Sequence, residues 1–141
     1  MTFRRDFNPA LLAFLVLATT APAWGETWRG IDIDTAGWIP ATKDDEAYIL
    51  FKEVPQQGNN KKVWERFEVL QPKTFSSFST RSAVALLEFD CSGGRSRTLQ
   101  EISYSENNLK GDQRVGESDD WSYVVPGSRV DDMFKRVCVS P

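Results

Sequence analysis

Residues 81–104 read RSAVALLEFDCSGGRSRTLQEISY, two apolar-to-polar runs that meet at Gly93-Gly94. Side chains in a strand alternate between faces, so Ala83, Ala85, Leu87, Phe89 and Cys91 share one wholly apolar face. Ser82, Val84, Leu86, Glu88 and Asp90 share the other, which turns polar towards the glycines. The pattern predicts an antiparallel hairpin of residues 81–92 and 95–104. With Gly93 and Gly94 as a two-residue loop, Asp90 is expected opposite Arg97.

Downstream, WSYVV (121–125) has strand composition and is stopped by Pro126 and Gly127. Ser128 is placed as an N-cap, with Asp131 suited to the positive end of a helix dipole. Val130, Met133, Phe134, Val137 and Cys138 follow the spacing of one apolar helical face, while Arg129, Asp132, Lys135 and Arg136 take the outside. A terminal helix lying across a sheet would therefore present Cys138 to the face that carries Cys91.

Upstream, residues 28–33 (WRGIDI), 47–51 (AYILF) and 62–70 (KVWERFEVL) are strand candidates, separated by connections at 34–46 and 55–60. The polar stretch 71–80 (QPKTFSSFST) reads as a loop. Residues 106–120 read as a polar connection with room for one short strand near 113–115. The expected fold class is α+β, an antiparallel β-sheet with a C-terminal helix packed on one face and disulfide-linked to it.

The first 23 residues combine Arg4 and Arg5, an apolar run over 10–18 and an A-x-A arrangement at Ala21 and Ala23, the three parts of a secretory signal peptide. The run is shorter than the roughly 20 residues of a spanning helix, so no membrane span is expected in the mature chain. No cysteine follows the cleavage region to accept a lipid. The expected organisation is a signal peptide at 1–23 and a single domain at 24–141, in the periplasm or secreted.

Two cysteines in an exported chain are most simply a disulfide, with free thiols or a catalytic or metal role as the alternatives. The sequence contains no histidine, the commonest general base and metal ligand. Two cysteines fall short of the usual four ligands of a structural zinc site. The formal net charge of −3 lacks the basic surplus of a nucleic-acid binder. No catalytic, metal-ligating or cofactor-binding residue is assigned, and no cofactor is expected.

Other motifs have plainer readings. Lys110-Gly111-Asp112 matches an integrin-recognition tripeptide but reads as a polar turn. Asp44-Asp45-Glu46 and Glu117-Ser118-Asp119-Asp120 lack the spacing of an EF-hand loop. Glu88, Asp90 and Glu101 read as cross-strand charges before they read as catalytic carboxylates. Trp64, Tyr104 and Trp121 are candidates for an aromatic binding surface, against the commoner role in a core.

LEFDC (87–91), RSRTLQEISYS (95–105), WSYVVPGS (121–128) and FKRVC (134–138) together resemble, in order and spacing, the surface-adhesin protein E-like domain of exported bacterial proteins. YILF (48–51) and GNNKKVW (58–64) echo that family's first hairpin. The resemblance implies an antiparallel sheet with a C-terminal helix, a disulfide joining Cys91 to Cys138, and a non-enzymatic binding role. The expected function is thus an exported binding module with a protein partner, adhesin-like or an envelope-partner protein, using a sheet face or the 71–80 loop. The alternative is an exported small-molecule binder or enzyme with a site near 105–120.

Overall fold

The computed structural model describes residues 25–139, apart from the Phe75 side chain. The expected signal peptide, residues 1–23, lies outside the described residues. The chain order is β1 (Gly25–Trp28), β2 (Ile31–Asp34), β3 (Ile39–Lys43), β4 (Ala47–Glu53), β5 (Lys61–Phe75), β6 (Phe78–Asp90), β7 (Arg95–Glu106), β8 (Lys110–Val115) and β9 (Ser122–Tyr123). A short helix α1 (Arg129–Phe134) follows and continues as a π-helical turn over Lys135–Val139. Every strand pairing is antiparallel, and β3 to β8 lie in sequence order, with β9 also paired to β7. The antiparallel sheet, the C-terminal helix and their disulfide agree with the sequence expectation.

Alternation along the strands builds two cores. Ile49, Val63, Ala85, Leu87 and Phe89 project to one face, where Met133 of α1 covers them. Val130, Phe134, Val137 and Cys138 pack against the same cluster, so the five positions chosen by helical spacing all face the sheet. On the other face Tyr48 and Leu50 meet Trp28 and Ile33 of the β1–β2 hairpin, with Trp38 and Leu70 beside them. The sheet is therefore covered on both sides, by the terminal helix and by the leading hairpin.

A polar network fastens that hairpin. Arg66 and Glu68 are buried neighbours on β5, paired at 2.5 Å. Glu68 also accepts the Asn108 main-chain N–H and the Asn107 amide, while Arg66 donates to the Asp34 carbonyl at 2.7 Å and to Asn108 at 3.0 Å. Asn108 donates to the Asp32 carbonyl and accepts from the Asp34 N–H. A buried ion pair is tolerable only when its remaining lone pairs and protons are bonded, and here they are.

Several local expectations are corrected. Residues 28–33 are a hairpin rather than one strand, because Arg29 and Gly30 both take positive φ and reverse the chain. The 34–46 connection contains β3, an edge strand whose register slips at Pro40. The 71–80 loop is the end of the long β5–β6 hairpin, turned at Ser76-Ser77, both at positive φ. The 93–94 loop is longer than two residues: Asp90 stands opposite Arg95 and Glu88 opposite Arg97, which replaces the expected Asp90–Arg97 pair. The Asp90 carboxylate causes this by accepting the Gly93 N–H at 2.8 Å and the Ser92 hydroxyl at 2.9 Å, which winds Cys91–Gly94 into the turn. Lys110-Gly111-Asp112 opens β8 instead of forming a turn, and only Ser122–Tyr123 of WSYVV pairs as strand.

Candidate protein-binding edge

The outer edge of β7 is covered in three pieces. β8 pairs with its second half, β9 with Arg95 and Ser96, and the chain between them is held by single contacts. Gly116 N–H donates to the Glu101 carbonyl at 2.9 Å, and Asp119 N–H to the Thr98 carbonyl at 3.0 Å. The Asp119 carboxylate in turn accepts the Thr98 N–H. Residues 110–125 therefore form a fixed outer margin although only half of that stretch is regular strand.

This margin carries exposed apolar surface. Val115 is 69%, Tyr123 78% and Val125 65% exposed; among the described residues the other large apolar side chain exposed to this degree is Val139 of the π-helical turn, at 67%. Near Tyr123, at the end of the margin away from Val115, stands Trp121, half-buried, with the Arg97 guanidinium 4.5 Å and the Arg95 guanidinium 5.4 Å from its ring centre. Each arginine is anchored from the sheet, Arg97 by Glu88 at 2.6 Å and Arg95 by Asp90 at 2.7 Å. The Arg95 guanidinium, helped by the Gly93 N–H and the Ser92 hydroxyl, holds the Asp90 carboxyl down to about 2. Trp, Tyr and Arg are the side chains that dominate binding energy at protein interfaces, and anchoring them beforehand lowers the ordering cost.

The other candidate groups separate. Glu88 faces the Arg97 side of the sheet, whereas Glu101 stands opposite Ala85 on the helix-covered face, so Glu88, Asp90 and Glu101 do not assemble. Glu101 instead lines a cavity of about 460 Å³ with Phe78, Thr80, Ser103 and Arg114. Trp64 and Tyr104 lie opposite Leu86 and Ser82, away from Trp121 at the far end of β7. Asp44 accepts the Glu46 and Ala47 N–H groups and serves a turn. Among the described residues, no group of three or more Cys, Asp and Glu is arranged to hold a metal, and no helix is long and apolar enough to cross a membrane.

Cys91, just beyond β6, and Cys138, in the π-helical turn, are joined by a disulfide with a Cα–Cα distance of 5.5 Å. Sequence reasoning missed the Arg95–Trp121–Arg97 stack, since β9 is too short to announce that it brings Trp121 back to β7. It also missed Glu65, a buried acid on β5 beneath Arg129. Charged residues at apolar-face positions of a strand, here Glu65 between Val63 and Phe67, were the available signal.

No curated protein matches the chain. Among solved structures it is similar to the crystal structure of protein E from non-typeable Haemophilus influenzae, at 13% identity and a TM-score of 0.47, over 74% of this chain and 76% of that one. The family model described as surface-adhesin protein E matches residues 38–139, most of the chain, and on that match the chain belongs to the surface-adhesin protein E family.

Proposed function

We propose that the chain is an exported, non-enzymatic protein-binding module, adhesin-like or an envelope-partner protein, whose partner docks on the outer edge formed by residues 110–125 and the Arg95–Trp121–Arg97 stack. The observation that carries this reading is the exposure of Tyr123 and Val125 at the end of the margin that also holds the pre-anchored Arg95–Trp121–Arg97 stack, with exposed Val115 further along the same margin. Membership of a family described as surface adhesins supports a binding role and a location outside the cytoplasm. In this reading residues 1–23 are a cleaved signal peptide, residues 24–141 form the domain, and the protein is periplasmic or secreted.

Beads coated with the oxidised mature protein test the adhesin form of the proposal. Retention on a layer of epithelial cells or of extracellular matrix is expected to fall about tenfold or more in a Tyr123→Ser, Val125→Ser variant, the loss typical of removing one hot spot. Equal retention of the variant would move the docking surface elsewhere. A second reading, a small-molecule binder near 105–120, draws on the cavity beside Glu101, Arg114 and Gly116. Retention of a defined metabolite by the parent, lost in Glu101→Gln and Arg114→Gln, would favour it.

A further inference from the structure

On the β4–β5 side of the sheet, away from the proposed docking edge, a cavity of about 300 Å³ opens between the start of β5, the end of β4 and the π-helical turn. Its volume is at the lower end of the range of small-molecule sites. Register places Phe51, Glu53, Lys61 and Val63 on the helix-covered face, opposite Glu65, Val63, Phe89 and Leu87 respectively. Phe51, Val54, Val63 and Val137 supply an apolar wall. Gln56 closes the loop side, its amide bonded to both the N–H and the carbonyl of Lys62.

Two cations, Lys61 and Arg136, and one carboxylate, Glu53, surround this cavity. Among the described residues seven cations elsewhere are matched to carboxylates, namely Arg29, Lys43, Arg66, Arg95, Arg97, Arg129 and Lys135, while Lys52, Lys73, Arg81 and Lys110 are not. Lys61 and Arg136 line the cavity, and among the described residues neither has a carboxylate partner; Lys62 also lines it, but its register position opposite Glu88 directs its side chain to the other face. Arg136 is nevertheless held in place: one nitrogen donates to the Ala41 carbonyl at 2.7 Å, and the guanidinium lies 5.9 Å from the Phe51 ring centre. A guanidinium has five N–H donors, so most of its donors remain for another acceptor. Glu53 is the one carboxylate in the wall. An oriented arginine and a lysine at the mouth of an apolar recess suit an anionic head on a short apolar body.

We propose that this cavity binds a small amphiphilic carboxylate, a medium-chain fatty acid in chemical class, with the carboxylate between Lys61 and Arg136 and the alkyl body against Phe51, Val54 and Val137. The cavity is too small for a long chain to be enclosed, so a length near eight carbons is expected to bind better than acetate. The site is independent of the docking edge, and its failure would leave that reading untouched.

The test is a titration of methyl-labelled, oxidised mature protein with sodium octanoate, followed by NMR. Saturable shifts centred on the Val63 and Val137 methyls are expected, with affinity about tenfold weaker in Lys61→Gln and in Arg136→Gln, the loss of one charge-assisted bond. Glu53→Gln is expected to tighten binding several-fold by removing a like charge. Lys61 makes no side-chain bond among the described residues, so its variant separates recognition from folding even if Arg136→Gln lowers the melting temperature. Equal affinity for octan-1-ol would reduce the site to an apolar recess, and equal affinity for inorganic phosphate would reduce it to a bare anion site. Either result, or the absence of saturable shifts at Val63 and Val137, would overturn the proposal.

Discussion

The Glu65 carboxylate lies 3.5 Å from the Arg129 guanidinium, which ties the middle of β5 to the first residue of the terminal helix. Glu65 is only 2% exposed, and its Oε2 has no hydrogen-bond partner among the described residues. Helix and sheet thus meet over an acid that is incompletely satisfied. Apolar packing by Met133 and the disulfide do more to hold the helix than this pair does.

Burial raises the Glu65 pKa, Glu101 raises it further and Arg129 opposes both. The folded protein therefore binds a proton at Glu65 more tightly than the unfolded chain does. The resulting stability is full at acid pH, below the unfolded glutamate value, and is lost as pH rises through the raised folded value. Glu65→Gln is expected to be more stable than the parent at neutral pH, with the difference closing towards acid. Arg129→Ala, which leaves the buried carboxylate without its cation, is expected to cost about 1–3 kcal/mol at neutral pH. Urea unfolding at a series of pH values checks both, and a Glu65→Gln profile parallel to the parent's would contradict the assignment.

Asp90 works in the opposite direction. Its carboxyl is held from 3.8 down to about 2, first by Arg95 and then by the Gly93 N–H and the Ser92 hydroxyl. Its contribution is present above the unfolded aspartate value and is lost as pH falls towards about 2. The Gly93 amide resonance is expected to titrate with that low midpoint. Gly93→Ala should loosen the turn as well, because a Cβ there would collide with the Asp90 carboxylate. A Gly93 midpoint near the ordinary aspartate value would show the turn to be held some other way.

The Cys91–Cys138 bond closes a loop with a sequence separation of 47. Chain entropy alone gives about 4 kcal/mol for a loop of that size. Cys91→Ser, Cys138→Ser is expected to lose a comparable amount by urea unfolding, with helical protection from hydrogen exchange lost before that of β5 and β6. A variant whose helix amides exchange no faster than the parent's would show that packing by Met133 and Phe134 suffices.

Asn108 is the hinge of the polar network under the β1–β2 hairpin, at a positive φ of 62°. Asn108→Gly keeps the backbone conformation accessible and removes the side-chain bonds to Arg66, Asp32 and Asp34. A loss of about 2–3 kcal/mol is expected, since Arg66 and the Asp34 N–H lose a shared acceptor. Calorimetric melting measures it, and a change within error would mean that water replaces the amide.

The features legible in the sequence were those with a repeating physical signal. Alternation marked the helix-facing side of β6, helical spacing marked Val130 to Cys138, and the Ser128 cap was visible because its hydroxyl does accept the Asp131 N–H at 3.2 Å. Turns made without their usual residues were hidden. Arg29-Gly30 and Ser76-Ser77 reverse the chain at positive φ with one glycine between them, so a hairpin read as a strand and a strand end read as a loop. The proposed docking edge was illegible for a related reason. Trp121 is placed by a two-residue strand and a side-chain bond from Asp119, contacts that depend on tertiary structure and leave no period in the sequence.

The most direct test of the binding-edge account is a photo-crosslinking amino acid placed at Tyr123 in the exported protein, in its native cell envelope and on host cells, with Lys52 on β4 as the control position. Tyr123 is highly exposed and makes no side-chain bond that the fold requires, so the substituted protein should fold and oxidise normally. A discrete, ultraviolet-dependent protein adduct at Tyr123, absent at Lys52 and suppressed by Val125→Ser, is the predicted result. Adducts of equal strength at both positions, or at Lys52 alone, would contradict it.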